Sequence, residues 1–298
     1  MKQVERVRKV GFRLFNLGGR NTDVKKGKMN RVIIIFLVTL ALVSMWLYST
    51  FTLKVSKIEI SSSKINDEIT FVHITDLHGS SFGKDNKDLI RMIGNVKPDF
   101  IVCTGDMYTA DSEKGEKIAL DFLSSLAQEF PVYYINGEHD NSETFFKKLS
   151  DNKVVVLNYK EQLVTVKNTT LHLYGINNAY YSSQFDLSNE FVIDEENYTI
   201  LLAHGSYFDR FAEFGIDLSL CGDTHGGQVR LPFIGAIQNS GIWFPELINH
   251  NDEDVKYTKG LYQKGNSKLF ISSGLGNFPV PVRLFNQPEI VVVKLLPA

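Results

Sequence analysis

Five short segments of this 298-residue chain bring carboxylates and imidazoles together: Asp76-Leu77-His78, Gly105-Asp106, Gly137-Glu138-His139-Asp140, His204-Gly205 and Gly222-Asp223-Thr224-His225. Asp, Glu and His are oxygen and nitrogen donors suited to Mn, Fe, Zn or Mg. If the segments converge, their carboxylates repel one another and are costly to bury unless cations neutralise them. Metal chemistry is therefore what these residue types favour. It needs no thiol. Cys103 and Cys221 each lie in an apolar run just before a Gly-Asp pair and read as buried strand residues. A lone His near a strand is usually a satisfied structural residue, and His73, His172 and His250 are read that way.

Each segment follows an apolar run that must position it. The runs 68–75, 99–104 and 132–136 read as strands, with helical periodicity over 85–96 and 117–130 between them. This alternation argues for parallel, buried strands. The run 54–61 alternates like a strand, and the second half reads as mostly strand, over 154–159, 162–166, 170–176, 199–204, 218–222, 268–273 and 289–296. Only Tyr207–Phe214 reads as helix there. The fold class is α/β: two sheets with helices outside. In open α/β sheets the ligand site lies beyond the carboxyl ends of the strands, so the five segments should meet there. Flanking glycines would let the backbone turn sharply enough to aim the side chains inward.

The chain's charge is unevenly spread. Residues 1–31 hold ten Lys/Arg and two Asp/Glu, a net +8, and the remainder sums to −10. Val32–Leu53 carries no charge over 22 residues, enough to cross a bilayer as a helix. Trp46 and Tyr48 sit near its far end, and Lys25, Lys26, Lys28 and Arg31 crowd its near end. The expected organisation is a basic cytoplasmic segment (1–31), a single membrane anchor (32–53) and an extracytoplasmic catalytic domain (54–298). A cleaved signal peptide is the weaker alternative, because the apolar run is long and no small-residue cleavage site stands out. A nucleic-acid substrate is disfavoured, since the catalytic part is acidic and the basic residues lie across the membrane from it.

The constellation resembles the calcineurin-like metallophosphoesterase superfamily. That pattern is Asp-x-His, Gly-Asp, Gly-Asn-His-Asp/Glu, a lone His and Gly-His-x-His, each after a strand. The match runs from about Glu68 to the end of the chain. The run GGQVRLPFIGA and the tail from Gly260 onward look like the membrane-associated bacterial branch, which includes phosphodiesterases related to UDP-diacylglucosamine pyrophosphohydrolases. The resemblance implies a four-layer α/β/β/α sandwich and two metal ions. Asp76, His78 and His225 would hold the first ion, Asp106 would bridge, and His204 would hold the second. His139 would be the general acid at the leaving-group oxygen, with Asp140 orienting it. Two ions about 3.5–4 Å apart can clamp a phosphoryl group and acidify a water. An imidazole can then protonate the departing alkoxide.

Two positions depart from that pattern. Glu138 replaces the Asn, and Asp223 replaces the first His of the last motif. Both replacements can coordinate, which suggests a re-tuned second site of Asp106, Glu138, His204 and Asp223. Four carboxylates would leave two divalent ions near neutrality, favouring a hard second metal (Mn, Mg or iron, up to the trivalent state) and a less acidified water. The expected function is hydrolysis of a phosphate ester or pyrophosphate, with a lipid-linked headgroup as one candidate. The competing reading is a binding or receptor protein whose second site has decayed to one ion or none. Arg230 or Arg283 could pair with a substrate phosphate, or each could be an ordinary surface cation. The aromatic runs at 145–149 and 179–185 fit either a lipid-facing rim or core packing.

Overall fold

The computed structural model describes residues 2–177, 186–239, 241–247 and 257–298, with side chains at residue 26 and from residue 28 on. The aromatic run 179–185 and His250 lie outside the described residues. The helices are α1 (Lys2–Phe51), α2 (Lys87–Val96), α3 (Glu113–Leu126), α4 (Glu143–Asp151) and α5 (Phe208–Phe214). The strands of the first half are β1 (Lys54–Ser62), β2 (Ile69–Ile74), β3 (Phe100–Cys103), β4 (Val132–Tyr134) and β5 (Val154–Val156). Those of the second are β6 (Lys160–Val166), β7 (Thr169–Gly175), β8 (Tyr198–Leu202) and β9 (Leu218–Cys221). Two small ribbons follow, β10 (Arg230–Leu231) with β11 (Gly235–Ala236) and β12 (Gln238–Asn239) with β13 (Ile242–Trp243). The last strands are β14 (Gly260–Lys264), β15 (Ser267–Ile271) and β16 (Glu289–Pro297).

Two six-stranded sheets form, in the orders β1-β16-β2-β3-β4-β5 and β14-β15-β9-β8-β7-β6. In the first, β2, β3, β4 and β5 run parallel; in the second, β15, β9, β8 and β7 do. Three apolar cores separate four layers. One packs α2, α3 and α4 on the first sheet through Leu89, Ile93, Phe122, Phe145 and Leu149. The second lies between the sheets and includes Phe71, Phe100, Leu173, Ile200, Leu220 and Val291. The third packs α5 on the second sheet through Phe208, Phe211 and Ile271. The expected four-layer sandwich is thus what the chain adopts. Strands covered on both faces must be apolar throughout, which is why β2, β3, β8 and β9 lack the alternation of half-exposed strands.

Two elements depart from the sequence expectations. Glu143–Asp151 is a helix, started by Ser142, whose hydroxyl accepts from Phe145 N. Its Phe145, Phe146 and Leu149 are buried, so core packing and not a lipid-facing rim accounts for that aromatic run. The strand β14 is largely exposed and has no apolar pattern to announce it.

Within α1, Lys28–Phe51 is long and apolar enough to cross a membrane, by length and composition. Its apolar side chains from Val32 to Val43 are mostly exposed, unlike those of a core helix. The chain divides into two compact units, Met1–Leu47 and Tyr48–Ala298, so the last turn of α1 belongs to the second.

Candidate metal centre

Parallel registry brings the strand ends level. Ile74 pairs with Cys103, Cys103 with Tyr134, and Leu202 with Leu220. The loops beyond these pairs therefore emerge side by side. Asp76 N donates to Gly105 O (3.0 Å), His78 N to Asp106 O (3.0 Å), and Gly222 N to His204 O (3.1 Å). The two sheets join at the same place, where Asp223 N donates to Asp76 Oδ1 (3.2 Å) and Gly276 N to Asp76 O (2.6 Å).

Asp76, His78, Asp106, Asp223 and His225 all adopt left-handed backbone, with φ of 53°, 46°, 53°, 70° and 48°. Residues with a Cβ seldom take this conformation, and it persists only where the surroundings over-determine it. The flanking glycines act in two ways: Gly79, Gly105 and Gly226 take left-handed backbone (φ 67°, 92° and 62°), as expected, whereas Gly137 and Gly222 leave space. A Cβ at Gly137 would lie 2.1 Å from Asp106 Oδ1, and one at Gly222 would lie 2.7 Å from Asp76 Oδ2. Gly137 and Gly222 provide room against a carboxylate, while the carboxylate- and imidazole-bearing residues share the left-handed turns with the other flanking glycines.

Six side chains converge. His78 Nε2 and His225 Nε2 stand 3.2 Å apart. Asp106 Oδ2 lies 3.7 Å from His78 Nε2 and 3.3 Å from His204 Nε2, which in turn is 3.8 Å from Asp76 Oδ1. Among the described residues, three overlapping sets have donor atoms within 4.8 Å of one another: Asp76/His78/His225, His78/Asp106/His139 and Asp76/Asp106/His204. Asp76, His78 and Asp106 each belong to two of them. The donor set suits cations. Asp76 Oδ2 and His225 Nδ1 are buried without a hydrogen-bond partner. Nitrogens bound about 2.0–2.1 Å from one ion lie a little over 3 Å apart, the spacing that His78 and His225 hold. Outer partners aim the rings: His204 Nδ1 lies 2.7 Å from Thr104 O and His78 Nδ1 3.2 Å from Thr109 Oγ1, which turns both Nε2 atoms inward.

The electrostatics agree. Burial pushes the Asp76 carboxyl up to about 7, with Asp106 and Asp223 adding to it against the pull of His204. Burial also draws His78 down to about 4 and His225 well below the usual imidazole value, so both present neutral nitrogens. Burial opposes charge on Asp106 and His204 too. There it is outweighed, and their mutual attraction holds Asp106 below the carboxylate range and His204 well above the imidazole range. A proton on His204 thus offsets part of the buried negative charge, a job a metal cation can take over.

The remaining expected residues stand at the edge of this cluster or outside it. Glu138, Asp223 and His139 line a cavity of about 840 Å³ together with His78, Asp106 and His225. Glu138 and Asp223 stay outside the three donor sets: Asp106 and His204 group with Asp76 and not with these two. Glu138 is about half exposed (47%), with Oε1 3.5 Å from His139 Nε2. Asp140 is buried, and its oxygens accept from Met107 N and Gly137 N, both at 2.7 Å. It fastens the two loops to each other instead of touching the His139 ring. His73 is buried on β2, with Nε2 2.8 Å from Thr104 Oγ1, and His172 pairs with Asp194 (2.9 Å). Cys103 and Cys221 are buried and form no disulfide, and Cys221 Sγ donates to Gly205 O (3.3 Å).

Both arginines are engaged by other protein groups. Arg230 pairs with Glu246 at 2.8 Å. Arg283 is fully buried and is not a surface cation at all; its Nη2 donates to Gly276 O (2.5 Å) and its Nε to Asn277 Oδ1 (3.0 Å). Several wall residues escaped sequence reasoning, Phe278 among them. The Phe278 ring lies flat against His78 (centroids 4.6 Å apart, 11° between planes) and edge-on to His139 (4.7 Å). An aromatic between two strands carries no such signal.

Residues 69–227 match the family described as calcineurin-like phosphoesterase, a stretch that opens at β2 and closes just beyond His225. The chain is 26% identical over 238 residues to "Uncharacterized metallophosphoesterase YkuE" of Bacillus subtilis (strain 168), covering 77% of this chain and 79% of the relative. It is 26% identical over 239 residues to "Phosphodiesterase YaeI" of Escherichia coli (strain K12), covering 75% and 80%. Among solved structures it is similar to the NAD nucleotidase of Haemophilus influenzae, with a TM-score of 0.42 and 18% identity over 70% of this chain. The chain spans 45% of that longer protein's length. The family match covers every strand end that contributes to the buried Asp/His cluster, and the chain belongs to the calcineurin-like phosphoesterases, which are metal-dependent phosphoester hydrolases.

Proposed function

We propose that this hydrolase is membrane-anchored and cleaves a phosphodiester or pyrophosphate bond at a lipid surface, using two metal ions. The observation that carries the reading is the position of Asp106, in one donor set with His78 and in another with His204. Asp76, His78 and His225 would hold one ion, and His204 the other, with Asp106 between. Glu138 and Asp223, on the wall of the same cavity, would complete the second ion's surroundings. When bound, such ions supply polarisation of the phosphoryl group and an acidified water. His139 faces the cavity beside them, where a proton donor for the leaving oxygen must stand. Asp140 holds the loop that carries His139.

The cavity wall supports an amphiphilic substrate. Val229, Ile237, Trp243, Phe278 and Pro279 line it together with the charged residues. Trp243, Val280, Val282 and Phe285 are large apolar side chains exposed on the surface. Apolar exposure of this kind next to a site fits a lipid headgroup with its chains nearby. The charge asymmetry about the apolar helix favours a cytoplasmic N-terminus, an anchor over 32–53 and a catalytic domain of 54–298 on the far side.

The test uses the full chain in detergent micelles or nanodiscs. Model phosphodiesters, monoesters and pyrophosphates are offered with Mn, Mg, Fe and Zn in parallel. Turnover should vanish with a chelator, return with metal and reach two ions per chain by elemental analysis. One ion per chain at full activity rules out the two-ion reading. Protease protection in intact cells tests the orientation.

A further inference from the structure

The last turn of α1 is built into the wall of the site. Ser49 and Thr50 are buried. Thr50 Oγ1 accepts from Arg283 N (3.2 Å) and donates to Arg283 O (3.3 Å). Ser49 Oγ accepts from Phe285 N (3.2 Å). Thr50 O accepts from Asn277 Nδ2 (3.4 Å), and Thr52 O from Gln287 Nε2 (3.2 Å). A helix end leaves carbonyls that need partners, and one loop, 277–287, provides them here. The same loop forms the inner wall. Asn277 precedes Phe278, whose ring covers His78 and meets His139 and whose carbonyl accepts from Gln228 Nε2. Arg283 grips Gly276 O, and Gly276 N donates to Asp76 O. Two short routes therefore run from Thr50 to the site, one through Asn277 to Phe278 and one through Arg283 and Gly276 to Asp76.

We infer that Thr50 is a positioning residue: by fastening the 277–287 loop it sets where Phe278 stands against His78 and His139, and so shapes the cavity. The last turn of α1, which belongs to the second unit, thus contributes to the site. The inference rests on the reading of the Asp/His cluster as the reaction centre, and it extends that reading to a residue far away in sequence. Phe278 offers no donor to an ion. Displacing it should therefore disturb substrate fit more than the centre itself.

The experiment compares the full-length protein with Thr50→Val, which keeps shape and loses the hydroxyl, and with Thr50→Ser, which restores it. Hydrogen exchange of the 277–287 peptide should quicken about fivefold in Thr50→Val, the weight of one net hydrogen bond, and match wild type in Thr50→Ser. With bis(p-nitrophenyl) phosphate as substrate, KM should rise by about 3–10-fold in Thr50→Val while kcat stays within about twofold and metal content is unchanged. Phe278→Leu should raise KM in the same way, and Thr50→Val should add nothing in that background. Unchanged exchange, an unaltered KM or strictly additive effects would each overturn the inference. The exchange comparison needs no turnover, so a wild-type protein inert toward the diester would count against the proposed function while the fastening is still judged.

Discussion

The floor of the site and its rim carry the same residue types under different physics. On the floor, Asp76, Asp106, His204 and His225 are buried, and His78 is nearly so. Their carboxylates and rings have lost water and found each other. At the rim, the Glu138 side chain keeps about half of its exposure, and Asp223 is partly exposed. A carboxylate in water needs no counter-ion to be stable, whereas a buried one must be paired, protonated or metal-bound. The demand for a cation therefore comes from the floor. The rim can adjust that cation's surroundings without creating the site.

The largest expected effect is on the floor. Asp106→Asn keeps the shape and removes the charge shared by His78 and His204; kcat/KM should fall by at least about a thousandfold, and millimolar Mn should not restore it. Activity within tenfold of wild type would mean that the floor is not the reaction centre. Next comes His139→Ala. It should cost about 10²–10⁴-fold with a poorly departing alkoxide and much less with p-nitrophenolate, which needs no proton. Equal losses on both substrates would remove His139 from the acid role. For the rim, Glu138→Gln and Asp223→Asn should each cost about 10–100-fold at micromolar Mn and recover at millimolar Mn. If the rim variants resist rescue while Asp106→Asn responds to it, the comparison is inverted.

The smallest effect concerns His73, a buried imidazole on the same strand that leads to the floor but outside the donor sets. Burial draws its pKa down to about 3. The unfolded chain therefore takes up this proton first as pH falls below about 6.5, and the folded state loses stability from there toward pH 3. One such group contributes at most about 1.4 kcal/mol per pH unit. His73→Gln keeps a group facing Thr104 and removes the titration, so its unfolding free energy should fall less steeply over this range. Denaturant melts at several pH values would detect it, and identical slopes would show that His73 charges without cost.

Much of the site could be read from sequence because its chemistry restricts residue types. Few positions tolerate only Asp or His after an apolar strand, and five such positions in one chain call for a common purpose. The strands were equally readable, since burial on both faces demands runs such as FVHI and FIVC. The helix α4 was not, because nine residues with two adjacent Phe hold too little periodicity to distinguish a helix from a rim. Arg283 was misread because an isolated Arg is usually solvated; here it is buried against the carbonyls of Gly274 and Gly276. Asp140 was assigned to a ring, yet backbone N–H groups claim both of its oxygens.

The sequence alone determined the donors and their order along the chain, because donor chemistry and strand burial are properties of residue type and local spacing. It also determined an apolar helix long enough to span a bilayer. Only the tertiary structure decided which carboxylates share a floor and which stand at the rim. It likewise decided that Phe278 covers His78 and that Thr50 closes the loop behind it. The reason is physical: desolvation and pairing depend on what other segments bring within a few ångströms, and no residue carries that information by itself.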